Sequence, residues 1–307
     1  MSNASAPTYR SGKNSVAVST GAASPESRAA ALEFLARLAA EVSGGTVDLP
    51  CFPDVVIRIR KTLDDPNTTT EQTVTVVGTE PRLAARLLQT ANSAAFNTTG
   101  KPLTDLRTAI TRLGQQLVQS AAMAYAVQQM KDEQSLRSIA KPMSALWREC
   151  ITVASISHVV ARRTKVAPDT AFLTGLLHGI GRLYIMVRAV THGAAFGNDA
   201  SFIDLVAGWH PQIGKAVLEN WQFAEEMAEA IGNQMEYERR WRHDADLTDV
   251  LISSIVLADA MKSPAPREIA MEGISAFQTI GLKNQDCTAI LTHAEYQIGS
   301  LHDALGC

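Results

Sequence analysis

Between residues 81 and 113 the apolar side chains return every three or four positions. In "EPRLAARLLQTANSAAFN" Leu83, Leu87, Leu88 and Ala91 share one helical face. In "PLTDLRTAITRLG" Leu106, Ile110 and Leu113 share another. The same period runs through most of the chain, and no alternating run closed by a hairpin turn interrupts it. No repeat of solenoid length is visible either. A chain patterned this way buries its apolar residues by packing helices on helices, so the expected fold class is all-α. Composition agrees, with 46% hydrophobic but only 6% aromatic residues, a balance that favours helices over a β-sandwich.

Proline and glycine mark the helix ends. Ser24 reads as a cap before Pro25 at a first helical position, with Gly44-Gly45 as the stop. Pro53 opens a helix carrying Val55, Val56, Ile59 and Leu63, and Asp64-Asp65-Pro66 closes it. Thr70 is the expected cap of the next helix, with Glu71 in its first turn. Gly114 breaks the helix containing Leu106, and "QQLVQSAAMAYAVQQM" resumes it. Pro142 opens a long helix, a turn follows around Gly193 and Gly197, and the last helical stretch starts near Cys287.

Several classes of function are disfavoured. A net charge of −3 without a long basic run gives no electrostatic grip on nucleic acid. Cys51, Cys150, Cys287 and Cys307 form no C-x-x-C pair, so a zinc site of usual spacing and a disulfide framework are not expected. They read as reduced thiols of a cytoplasmic protein. No run of 18 or more apolar residues is expected to span a membrane, and the small, polar residues 1–25 read as a flexible tail rather than a secretory leader.

The chemistry-bearing residues lie further on. "AFLTGLLHGIGRLYIM" sets His178 at the end of an apolar helix, followed by Gly179. His158 sits mid-helix, and Asp259 sits in the apolar run "SIVLADAM". A polar group on such a pattern costs free energy unless it has a partner. The order His158, "LLHGIG" at 176–181 and "LAD" at 257–259 resembles the HD superfamily of metal-dependent phosphohydrolases. More closely, "LPCFPDVVIRIRKTLDDPNTT", "EPRLAARLLQTANSAAFN", "AITRLGQQLVQSAAMAYAV" and "HPQIGKAVLENW" are similar to the HDOD (HD-related output domain) group, over roughly residues 45–265.

That resemblance implies an HD-like helical bundle with an added N-terminal helical subdomain. It divides the chain into a tail (1–25), an N-terminal subdomain (26–135), a degenerate HD-like subdomain (136–285) and a C-terminal helical extension (286–307). It also implies a bacterial signalling role for a stand-alone output module. The departures bear on activity. Gly179 stands where the family's metal-binding doublet has its aspartate, and glycine supplies no carboxylate. Asn233 and Gln234, in "GNQM", stand where related cyclic-dinucleotide phosphodiesterases carry a second histidine pair. His158, His178, Gly179, His210 and Asp259 are thus vestigial positions, with no metal, cofactor or catalytic residue expected.

The structural reading of His178 is a core histidine hydrogen-bonded to Asp259 or His158. Asn92-Ser93 reads as a helix C-cap. The cluster Arg162-Arg163-Thr164-Lys165, with Arg182 and Arg188, is either an anion site or a solvated helix end. "EYERRWRHD" at 236–244 offers Tyr237, Arg240 and Trp241 as partner contacts. The favoured function is a non-catalytic regulatory module with a protein partner and no nucleic-acid or membrane ligand. A residual phosphohydrolase and a pseudoenzyme holding a nucleotide through Arg182 are the alternatives.

Overall fold

The computed structural model describes residues 25–44, 52–65, 67–97, 100–192, 200–239, 244–262, 269 and 271–305. Residues 1–24, the turn at Gly193 and Gly197, Cys51, Cys307, Arg240 and Trp241 lie outside them. Among the described residues every regular element is helical, as the apolar period requires. α1 (Pro25–Ser43), α2 (Asp54–Asp64), α3 (Thr70–Gly78), α4 (Pro81–Asn92) and α5 (Leu106–Asp132) lead into a 3-10 turn at Gln134–Ile139. α6 (Ala140–Ala161), α7 (Pro168–Leu177), α8 (Ile180–Thr191), α9 (Ala200–Asn220) and α10 (Glu225–Gly232) follow. α11 (Leu247–Ala260), α12 (Ser275–Ile280) and α13 (Asn284–Leu305) complete the fold.

Local chemistry sets the ends. Pro25 and Pro81 occupy first positions, where a missing N–H costs no helical bond. The cap of α3 is Thr69, one residue earlier than Thr70. Its hydroxyl accepts from Gln72 N while the Gln72 side chain accepts from Thr69 N, a reciprocal box that Thr70 has no partner to form. Gly114 kinks α5 at φ 72°, ψ 174°, a conformation that a side chain disfavours. α4 ends as a side-chain cap. Asn92 donates to the carbonyls of Leu88 (2.9 Å) and Leu103 (2.8 Å), and Ser93 Oγ donates to Thr90 O at 2.8 Å.

α6 is the central helix, covered by α5, α7, α11 and α13. α13 belongs to this core: Cys287, Ile290, Leu291, Ala294, Leu301 and Leu305 are buried, and Trp147 Nε1 donates to Leu305 O. α1 packs on α9, with Phe34, Leu35, Leu38 and Val42 turned inward. Its last turn is tied down by Glu41, which accepts from Arg188.

Two glycines bring backbones together around the turn at His178. A Cβ on Gly175 would stand 2.7 Å from Ala154 Cα, so α7 lies directly on α6. A Cβ on Gly181 would stand 2.8 Å from Gly214 N and overlap the carbonyl oxygen of His210, so α8 lies directly on α9. The stretch Pro168–Thr191 is long and apolar enough to cross a membrane by length and composition, contrary to the expectation from sequence. It is broken at His178-Gly179, however, and 83% of its apolar window is buried inside the fold.

These contacts predict opposite signs for two glycine substitutions. Gly181→Ala forces backbone apart and is expected to cost ~3 kcal/mol or more. Gly208 has open space around its Cβ position in α9, so Gly208→Ala is expected to stabilise by ~0.5–1 kcal/mol through the unfolded chain. Chemical denaturation of the two variants checks both.

Candidate functional site

The turn between α7 and α8 presents His178 inward. Helix α7 ends at Leu177, and His178 is its C-cap with its side chain 1% exposed. Its Nδ1 lies 2.7 Å from Gly175 O, one of the carbonyls the helix end leaves without a partner. A carbonyl only accepts, so Nδ1 carries the hydrogen. On the other side of the ring, Nε2 lies 3.2 Å from Nη2 of Arg182, one helical turn further on. A guanidinium only donates, so Nε2 accepts.

Burial opposes a charge on this ring, as does Arg182, whereas Cys150 and Glu149 favour one and push its pKa upward. The hydrogen bonds decide for the neutral ring. A protonated Nε2 would face a guanidinium N–H, and the Glu149 carboxylate at 3.8 Å is beyond hydrogen-bond length.

Glu149, on α6, is the carboxylate of this site. Its Oε1 accepts from Arg182 Nη2 at 2.9 Å, and Lys262 Nζ stands 3.8 Å from Oε2. Burial raises its pKa, but Arg182, with Lys262 adding to it, holds it far below the usual carboxylate range. His210 closes the group from α9. It is buried and its Nδ1 has no hydrogen-bond partner. Burial first, then the charge of Arg182, pushes its pKa down to about 3. Gln234 fixes the backbone beneath, donating to His178 O at 3.2 Å and Ile231 O at 2.9 Å. Asn233 bonds Glu229 at 3.1 Å.

The positions singled out from sequence do not all converge. His158 follows Cys150 by eight residues on α6, a separation of ~12 Å along the helix axis. Its ring packs against Phe96 (5.7 Å) and Phe172 (6.3 Å), and Nε2 lies 3.7 Å from Asp169. Burial, then Arg162 and His293, push its pKa down to about 4. Asp259 faces outward with its side chain 65% exposed and pairs with Lys262 at 3.4 Å. His178 is thus satisfied by Gly175 and Arg182, and neither Asp259 nor His158 is its partner.

Gly179 has taken up no vacant space. A Cβ there would stand 2.7 Å from Cys150 Sγ and 2.8 Å from Leu146 Cδ1. It looks into a small apolar cavity lined also by Met123, Met143, Trp147 and Leu183. A metal centre of the kind the HD resemblance implies does not fit these residues. The doublet carboxylate's direction is filled by a thiol and a leucine, Arg182 stands between Glu149 and His178, and Asp259 points away. Among the described residues no three His, Cys, Asp or Glu side chains are grouped to hold an ion.

Three of the basic residues are matched by carboxylates. Arg163 pairs with Asp286 (2.7 Å), Lys165 with Asp244 (2.9 Å) and Arg188 with Glu41. Tyr237 and Arg239 lie further inward than the charge of their segment suggests. Tyr237 is half-buried against the core, and its carbonyl accepts from Ser275 N at 2.9 Å. Arg239, 9% exposed, binds Asp246 and Asp249 at 2.6 and 2.7 Å. Arg240 and Trp241 lie outside the described residues. Glu149 was passed over in the sequence as one charge on a helix. The i,i+4 spacing of His178 and Arg182 was the available signal.

The buried neutral histidines set an acid response. Below about 6.5, the ordinary histidine value, the unfolded chain takes up a proton at each ring. The folded chain refuses it down to about 4 at His158 and about 3 at His210. Stability is therefore lost as pH falls through that window, by up to ~1.4 kcal/mol per pH unit for each ring. Denaturant melts between pH 7 and pH 4 are expected to show a shallower slope in His210→Gln than in the parent.

Comparisons with known proteins follow this geometry. Residues 49–237 match the HDOD domain family. A structure from Shewanella amazonensis bearing the name "putative metal-dependent phosphohydrolase" superposes with TM-score 0.70 at 23% identity, covering 89% of this chain and 99% of that one. An HDOD domain protein with unknown function from Geobacter sulfurreducens gives TM-score 0.56 at 21% identity, covering 89% and 98%. At these identities the likeness speaks to the fold alone. An uncharacterised protein of Treponema pallidum is 21% identical over 238 residues, 73% of this chain, and the chain spans only 44% of that relative's length.

Proposed function

This chain belongs to the HDOD family, and on that footing we propose that it is a bacterial cytoplasmic regulatory module that acts by binding another protein and does not hydrolyse a phosphoester. The observation that carries the reading is the pairing of Glu149 with Arg182 beside a Gly179 whose Cβ direction is crowded by Cys150 and Leu146. Hydrolysis in an HD-like site needs a metal ion to supply both a Lewis acid and an activated water. Here the one carboxylate near His178 is already neutralised by a side chain.

The Shewanella relative's name points toward hydrolysis, but for this chain the donor geometry weighs against it. The donors of Arg182 nearest the site are engaged by Glu149 and His178, which weighs against a nucleotide phosphate as its ligand. Partner binding draws on exposed apolar surface. Trp209 on α9 and Met235 after α10 are each 40% exposed, and their segments are joined where Gln212 donates to Gly232 O at 3.0 Å. Large exposed side chains of these types are enriched at interfaces.

Purified full chain, incubated with manganese, iron or zinc, is expected to release no product from a phosphodiester chromogen or a cyclic dinucleotide above the protein-free rate. Gly179→Asp is expected to restore none, and to lower the melting temperature, because its carboxylate would press on Cys150 and Leu146. Metal-dependent turnover by the parent chain, lost in His178→Ala, would refute the reading. For the binding half, Trp209→Ser/Met235→Ser is expected to lose the partner that the parent retains while melting like the parent.

A further inference from the structure

We infer that the guanidinium of Arg182 is a tethered cation standing where a divalent ion would otherwise join Glu149 to His178. Nη2 of Arg182 lies 2.9 Å from Glu149 Oε1 and 3.2 Å from His178 Nε2. Those two acceptors are 3.8 Å apart. Two ligands of one zinc ion, each at ~2.0–2.2 Å, stand ~3.4 Å apart at the tetrahedral angle. The pair stands somewhat wider than a shared zinc ion would set it, and the cation it shares is a side chain.

His178 is oriented for the same role. Its Nδ1–H is held by Gly175 O, which aims the Nε2 lone pair at Arg182. A backbone carbonyl fixing the far nitrogen is how a metal-binding histidine is usually held. His210 adds a third nitrogen to the neighbourhood: it is buried, and Nδ1 is without a partner. Electrostatics supply the reason for the arginine. Glu149 is largely withdrawn from water, its side chain 26% exposed, and a carboxylate there needs a neighbouring positive charge. Gly179 brings no second carboxylate, so one positive side chain meets the need, with Lys262 adding a weaker contribution at the rim. The arrangement follows from the charges alone and is independent of whether the domain acts through a partner.

Thermal melts of the full chain in EDTA and in excess zinc chloride test it. The parent is expected to melt alike in both. Arg182→Ala is expected to melt ~5 °C or more below it in EDTA, since the carboxylate is left unpaired. Zinc is expected to recover part of that loss by binding the native state. The double variant Arg182→Ala/Glu149→Gln is expected to melt above Arg182→Ala in EDTA and to ignore zinc. If Arg182→Ala does not fold in EDTA, the yield of folded protein on refolding with zinc against EDTA replaces the melting temperature, and the double variant folds in both. A zinc response of the parent overturns the inference. So does an Arg182→Ala variant that melts like the parent, or one whose zinc response is absent or persists in the double variant.

Discussion

Close contact between backbones at Gly175 and Gly181 is the constraint on which the rest of this molecule depends. Gly175 lets α7 rest on the backbone of α6 at Ala154, and Gly181 lets α8 rest on α9 at His210 and Gly214. The five residues between them, Leu176 to Ile180, are pinned at both ends. His178 must turn toward α6, where Glu149 and Cys150 lie, and Gly179 must face Leu146. A larger residue at either glycine would separate the helices and take the histidine away from its partners. The chemistry of the corner is thus set by which side chains are absent as much as by which are present.

Once the helices are that close, charge inside them has to be cancelled locally. The chain does this with the same device at several places, two of them near the corner and α11. Arg182 cancels Glu149 between α6 and α8. Arg239 binds both Asp246 and Asp249 at the start of α11, where the two aspartates also form a reciprocal cap. At Arg239 the planar fork offers several donors to carboxylate oxygens at once, and at Arg182 one terminal nitrogen serves both Glu149 and His178. The second cluster also explains why the charged 236–239 stretch lies against the fold. Its arginine is an anchor for α11, and Tyr237 is held through its own carbonyl to Ser275.

Much of the fold was legible in the sequence because local physics decides it. Apolar spacing placed Leu83, Leu87 and Ala91 on a buried face, Gly114 marked a kink, and Asn92-Ser93 marked a capped end. The cap of α3 was misplaced by one residue, since Thr69 and Thr70 have the same side chain and only the reach of Gln72 separates them. The site was far less legible. His158 and His178 lie on neighbouring helices, yet the antiparallel pairing of α6 with α7 sets them more than two turns apart, a consequence of register that spacing along the chain cannot reveal. Asp259 belongs to an apolar run, but a helix turns one position in every three or four outward, and Leu257, Ala258 and Ala260 are the buried ones. Glu149 and Arg239 resemble ordinary surface charges in sequence. Their burial is a property of what packs over them.

His178 has a structural role of its own at the end of α7. A helix ends with carbonyls that no later N–H can reach, and inside a protein each must find a donor or bear a desolvation cost. α7 ends inside the core, with Leu176, Leu177 and His178 all buried, so water is not at hand to supply one. The imidazole answers this by donating from its own cap position to Gly175 O, and Gln234 answers it a second time by donating to His178 O. Leucine or phenylalanine would fill the same volume but leave Gly175 O unpaired, and asparagine would leave part of that volume empty. A histidine retained for capping needs only one nitrogen for that purpose, and the other is then free to take a hydrogen bond from Arg182. The two side chains are therefore compatible outcomes of one geometry, in which the helix end selects the histidine and the charge balance selects the arginine.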